Sequence, residues 1–152
     1  MVVIYTDGVY DLFHRGHIEN LKKCMALFDN VYLIVGVLSD EVASSYKRCP
    51  IYSEQDRYTL IENVKGVNQV VKNAPLIITE DFLELYKIDY VVHGFSTQMD
   101  KSKQTSFFEI PIKLNKFIEI DYYTSISTTE IIQRLRYPMN ISSAGLGDLI
   151  DA

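Results

Sequence analysis

The 152-residue chain holds two cysteines, Cys24 and Cys49, too few for the disulfide scaffold of a small secreted domain. Reduced thiols in a cytoplasmic protein are the simpler expectation, with Cys24 packed in a helix layer. No apolar run is long enough to span a membrane and no signal peptide is recognisable, so no membrane insertion is expected. Positive charge is in deficit. Fifteen Lys and Arg against 20 Asp and Glu give a net charge of −5, which argues against a nucleic-acid-binding surface but permits a local positive cleft. Tryptophan is absent, and the 11 tyrosines form no stripe of the kind that stacks nucleobases. Asn140-Ile141-Ser142 has the form of a glycosylation sequon, which means little in a cytoplasmic protein.

An apolar content of 47% and a charged content of 23% fit one globular domain large enough for its own core. Strand signals at 2–6, 31–38, 67–71, 89–93 and 117–121 alternate with helical signals. The first two runs are nearly continuous in apolar residues, as in strands buried on both faces. Ile18, Leu21, Met25 and Phe28 carry helical spacing over 16–28. Ser53, with Asp56 three residues on, caps a helix to about 63, Thr79 caps one through 86, and Ser127 caps one to about 136. The expected fold is therefore α/β, a Rossmann-like doubly wound parallel five-stranded sheet with ligands at the carboxyl ends of the strands. The domain is expected over 1–137, followed by a flexible tail over 138–152. A core strand starting directly after Met1 suggests a domain cut from a longer chain.

His14-Arg15-Gly16-His17 stands where the first strand hands over to a helix. Histidines three apart share one face of the first turn, beside unpaired N–H groups and the positive helix end. That combination suits a phosphate. Gly8 is expected to let the chain turn sharply, and Gly16 to let a ligand lie against the helix. A helix cap or a metal site would use the same two histidines, but no Cys or carboxylate lies at zinc-like spacing from them.

The full string Asp7-Gly8-Val9-Tyr10-Asp11-Leu12-Phe13-His14-Arg15-Gly16-His17 resembles the signature of the cytidylyltransferases that make CDP-choline, CDP-ethanolamine and CDP-glycerol, within the HxGH nucleotidyltransferase superfamily. Leu33 to Glu41, Asp56-Arg57-Tyr58, Asn73-Ala74-Pro75, Tyr90 to His93 and Ile126 to Ile132 resemble further motifs of that family, in family order, over residues 2 to about 136. An adenylyltransferase of the same fold matches less well.

The resemblance implies attack of a phosphomonoester on the α-phosphate of CTP, with pyrophosphate leaving and Mg²⁺ accompanying the nucleotide. It implies catalytic roles for His14, His17 and Lys47. Nucleotide contacts are implied for Thr6, Asp7, Gly8, Val9 and Tyr10, for His93, Gly94, Phe95 and Ser96, and for Ser125, Ile126, Ser127, Thr128 and Thr129. Such chemistry needs no strong base, because the attacking phosphate is already ionised; it needs positioning and charge stabilisation. Asp7 and Asp11 fit turn-forming and hydrogen-bonding roles better than an acid–base pair. Asp100 to Gln104 reads as a solvated loop, and Arg134 and Arg136 as compensation for the end of the last helix. Partners implied are CTP and phosphoethanolamine, with a homodimer or a tandem partner domain.

Three departures stand out. Active relatives carry Arg-Thr-x-Gly before the Ile-Ser-Thr-Thr motif; this chain reads Tyr122-Tyr123-Thr124-Ser125. Losing one such donor can lower turnover by roughly 10²–10³. Another family arginine is replaced by Lys65, which keeps charge but not the bidentate fork. Choline-specific relatives have a tryptophan after Ala-Pro and acidic residues after the strand-four histidine, where this chain has Leu76 and Gly94. His93-Gly94 and Glu109-Ile110-Pro111 resemble instead the ethanolamine branch, closest to its second tandem domain, which also lacks the arginine. The leading expectation is therefore an ethanolamine-phosphate cytidylyltransferase domain. The rivals are a catalytically weakened CTP-binding module and an enzyme using phosphocholine.

Overall fold

Neighbouring residues of the central strands enter opposite hydrophobic layers, which is why these runs are apolar without alternation. Val3 and Tyr5 pack on one face with Ile34, Val91 and Phe108. Ile4 packs on the other with Leu33, Val35 and Val92. A computed structural model describes residues 1–137. Its strands are β1 (Val2–Gly8), β2 (Val31–Val37), β3 (Gln69–Lys72), β4 (Tyr90–His93) and β5 (Phe117–Glu119). They form one parallel sheet in the order β3-β2-β1-β4-β5. The expected tail over 138–152 and its sequon lie outside the described residues.

Helices α1 (Arg15–Met25) and α3 (Glu54–Glu62) cover one face through Leu21, Cys24, Tyr58 and Ile61. The other face is covered by α2 (Asp40–Tyr46), α4 (Glu80–Leu85) and the 3-10 turn Thr105–Phe108, through Val42, Tyr46, Leu83 and Phe108. Full burial of a Leu, Ile or Phe side chain contributes about 1.5–3 kcal/mol, so these layers supply most of the drive to fold. Cys24 is 1% exposed inside its layer, where burial pushes the thiol up to about 11. Cys49 is exposed, and both are free.

Caps fix the helix starts. Ser53, Thr79 and Ser127 accept the N–H groups of Asp56, Phe82 and Glu130 at 3.3, 3.2 and 3.1 Å, as expected of short hydroxyl or carboxylate side chains there. One expectation fails: Asp100 to Gln104 is not a loop. It belongs to α5 (Gln98–Gln104), capped by Thr97, with Gln104 only 4% exposed and donating to Asp100. Helices α6 (Glu109–Lys113) and α7 (Thr128–Arg136) complete the chain. Pro111 is tolerated because it sits in the first turn of α6, where no intrahelical N–H is required.

Strand order reverses between β1 and β4, so their carboxyl ends part to leave a crevice.

Candidate active site

A cleft of about 540 Å³ opens over that crevice. Its floor is the end of β1, Thr6, Asp7 and Gly8, and its walls come from the start of α1, the loop after α2, the end of β4 and the start of α7.

At α1 the two histidines cap the helix and each other. His14, at φ −139° and ψ 176°, is extended, and its Nδ1 accepts the Gly16 N–H at 3.0 Å. The His14 N–H in turn donates to Nδ1 of His17 at 3.1 Å. With both Nδ1 lone pairs engaged, each neutral ring carries its proton on Nε2. The rings stack at 3.8 Å, and Phe13 covers His17 with centroids 5.4 Å apart. Burial, then His14, then Lys47 push the His17 imidazole down to about 3, so it is an uncharged Nε2–H donor at neutral pH. Burial lowers His14 as well. Its Nε2 is buried and has no partner among the described residues. The cap and the phosphate-donor readings of this motif are thus compatible.

Gly16 is required by this packing. A Cβ there would lie 2.7 Å from His14 Cε1 and 3.1 Å from the Ile126 carbonyl oxygen. Gly8 acts differently from expectation. It remains in β1 without a positive φ, and the sharp turn falls on Tyr10 and Leu12, at φ 57° and 46°. Gly8 instead leaves room for the Tyr10 ring, 3.1 Å from where its Cβ would be. Asp11 holds that strained turn. Its carboxylate accepts N–H groups of Leu12, Ile51 and Tyr52 at 3.0, 2.8 and 2.8 Å, the bonding role expected of it.

At β4, His93 Nδ1 faces Asp7 Oδ1 at 3.4 Å, both side chains largely buried. Phe95 and Phe108 pack on the His93 ring at 4.9 and 4.7 Å. A Cβ on Gly94 would meet the Ile120 carbonyl oxygen at 3.2 Å, so glycine lets the chain after β5 cross closely over the end of β4. Ser96 donates through N and Oγ to Asp100.

Lys47 and Arg48 bring the cations. Lys47 reaches the cleft from the end of α2, its ammonium pKa lowered mainly by burial and raised in part by Asp100 and Asp7. Opposite stands α7. Ser127 Oγ is spent on its cap, Thr128 Oγ1 donates to the Asp11 carbonyl at 2.8 Å, and Thr129 Oγ1 accepts from Arg48 at 3.0 Å. Arg134 bonds Glu130 along the helix.

The cleft therefore gathers His17, Lys47, residues 6–10, His93, Gly94, Ser96 and residues 127–129. Four expected contacts lie outside its lining. Phe95 is drawn into the aromatic cluster on His93, Ser125 is exposed, Ile126 presents its carbonyl to Gly16, and His14 sits behind His17. Asn20, Asp100, Gln104 and Tyr122 line the cleft without having been expected. Asn20 was legible, one helical turn beyond His17 on the same face. So was Asp100, once the Thr97 cap is read as opening a helix.

The profile of the Cytidylyltransferase-like family matches residues 5–134. The chain belongs to that family.

Among its relatives, choline-phosphate cytidylyltransferase 2 of Arabidopsis thaliana is 36% identical over 135 residues, 88% of this chain and 44% of that protein. A probable ethanolamine-phosphate cytidylyltransferase of Encephalitozoon cuniculi is 33% identical over 132 residues, 87% of this chain and 40% of that one. The chain thus spans less than half the length of these cytidylyltransferases. A solved structure described as a lipopolysaccharide core biosynthesis protein from Thermoplasma volcanium is 27% identical, with a TM-score of 0.64 over 81% of this chain and 98% of that one. No helix among the described residues is long and apolar enough to cross a membrane.

Proposed function

We propose that this cytidylyltransferase-like domain transfers CMP from CTP to phosphoethanolamine, giving CDP-ethanolamine and pyrophosphate. The observation that carries the reading is the uncharged, pre-oriented imidazole of His17 facing the same cleft as Lys47, at a helix N-terminus. A phosphate oxygen of phosphoethanolamine attacks the α-phosphorus of CTP. A new P–O bond forms, the bond from the α-phosphorus to the bridging oxygen breaks, and the electron pair leaves with pyrophosphate. No proton need move. Lys47 draws nucleophile and triphosphate together, while the neutral His17 Nε2–H donates to a phosphate oxygen without the desolvation cost of a charged donor. His14, behind His17 and outside the cleft lining, acts through the cap: its ring accepts the Gly16 N–H and its backbone N–H holds His17 Nδ1, which fixes the His17 ring that faces the phosphates.

Among the described residues no three His, Cys, Asp or Glu side chains converge to hold an ion of their own. In this reading Mg²⁺ would enter with the triphosphate, whose charge it would offset.

Two rival readings each have an observation behind them. The Arabidopsis choline-phosphate enzyme is 36% identical against 33% for the ethanolamine-type relative, which favours phosphocholine. Tyr122, not an arginine, faces the cleft just before α7, which favours a CTP-binding module with little turnover. The test is one assay of the purified chain with MgCTP and either phosphoethanolamine or phosphocholine, following pyrophosphate and the CDP-alcohol by mass. CDP-ethanolamine as the main product supports the proposal. Preference for phosphocholine overturns the substrate, and CTP binding without either product supports the module.

A further inference from the structure

We propose that Arg48 is a polyphosphate-binding residue of this cleft, reaching from the loop after α2 to the start of α7; the inference rests on the CTP reading above. Arg48 Nη1 donates to Thr129 Oγ1 at 3.0 Å, which parks the guanidinium beside the first turn of α7. A guanidinium has five N–H donors, and that single bond is the one Arg48 makes among the described residues. The side chain is exposed and lines the same cleft as Lys47 and His17.

The nearby carboxylates are already engaged. Asp11 accepts three backbone N–H groups, Asp100 accepts from Ser96 and Gln104, and Asp7 faces His93. Neither Lys47 nor Arg48 forms an ion pair among the described residues. Lys47 and Arg48 repel each other, Asp100 and Asp7 offset that only in part and without a direct ion pair, and an anion lying between Lys47 and the α7 start relieves it. The segment 120–127 that leads into α7 contains no Lys or Arg, and its Tyr122 phenol is held neutral by burial and by Asp100. Positive charge at this wall therefore comes from Arg48. A guanidinium between the Lys47 loop and the start of α7 suits the charged outer phosphates of CTP rather than its uncharged base.

Calorimetry with MgCTP and with CMP tests this on wild type, Arg48→Ala, Arg48→Lys and Thr129→Val. Arg48→Ala is expected to weaken CTP binding about ten- to a hundredfold while CMP binding stays within about twofold, as for loss of charged hydrogen bonds to the outer phosphates. Arg48→Lys recovers part of the loss, and Thr129→Val causes a smaller one. Unchanged CTP affinity in Arg48→Ala, or equal weakening of CTP and CMP, overturns the role of Arg48 and leaves the proposed function standing. A wild-type chain with no affinity for CTP overturns both.

Discussion

Arg57 Nη2 lies 2.7 Å from Asp40 Oδ1, with the guanidinium side chain wholly buried and the aspartate side chain 43% exposed. The other guanidinium donors go to backbone carbonyls: Nη1 to Val9 and Leu38 at 2.8 and 2.7 Å, Nε to Tyr52 at 3.1 Å. One α3 side chain thus ties together the loop after β1, the exit of β2 and the segment that also binds Asp11. Those loops carry the cleft, so this contact connects core packing to the geometry of the site.

Replacing Arg57 by methionine is expected to destabilise the domain by about 3–5 kcal/mol, since the carbonyls stay buried and lose their donors. Asp40→Asn should cost about 1 kcal/mol or less, because its carboxylate is part-exposed and the three carbonyl contacts survive. Urea denaturation of both variants measures the ratio. Equal losses would mean that the ion pair, not the carbonyl network, holds the loops.

Asp11→Asn removes charge from an acceptor of three backbone N–H groups and turns one side-chain oxygen into an NH₂ facing donors. The expected loss is about 1–3 kcal/mol, read as a lower urea midpoint. Residual activity should keep the wild-type pH dependence, because Asp11 shapes the turn and exchanges no proton with substrate. A shifted pH–rate profile would return Asp11 to the acid–base role.

Strands β1 and β2 were the most legible, because strands buried on both faces are nearly continuous in apolar residues, whereas the short β3 and β5 gave weaker runs. The hydroxyl caps were equally open, since Ser53, Thr79 and Ser127 act locally. Helix α5 was missed because its sequence is polar and its buried residue is a glutamine, which apolar periodicity does not register, so that the Thr97 cap was its one local signal. A cap by His14 and His17 was open as one reading of the pair, but its reciprocal form was not, because imidazole is an unusual capping acceptor. Arg57 was visible only as part of a resemblance. Arginine ordinarily reads as surface, and the carbonyls that bury it come from three distant segments.

Acid should destabilise the domain through His17. Its folded pKa, pushed down to about 3, lies below the unfolded value near 6.5, so the unfolded chain binds the extra proton between those limits. The stability is fully present above about pH 6.5 and drains as pH falls toward 3. Between pH 7.5 and 4.5 wild type should lose about 2–3 kcal/mol more than His17→Asn, measured from urea curves at both pH values. Parallel losses in the two proteins would contradict an imidazole held neutral.

Gly16→Ala sets two effects against each other. Alanine is favoured over glycine in a helix by about 1 kcal/mol, which alone would stabilise α1. Yet the added Cβ falls 2.7 Å from His14 Cε1 and 3.1 Å from the Ile126 carbonyl, and the backbone oxygen is the neighbour less able to yield. Overpacking of this kind costs about 1–3 kcal/mol, so the clash outweighs the propensity gain and moves the His14 ring off its cap. Thermal melting should show a folded but less stable domain. CTP binding by calorimetry should weaken by about tenfold or more, because the donors set by the cap lose their alignment. A variant more stable than wild type with unchanged CTP affinity would show that His14 and the Ile126 loop adjust freely, and that the close junction between α1 and α7 is not what orients the imidazoles.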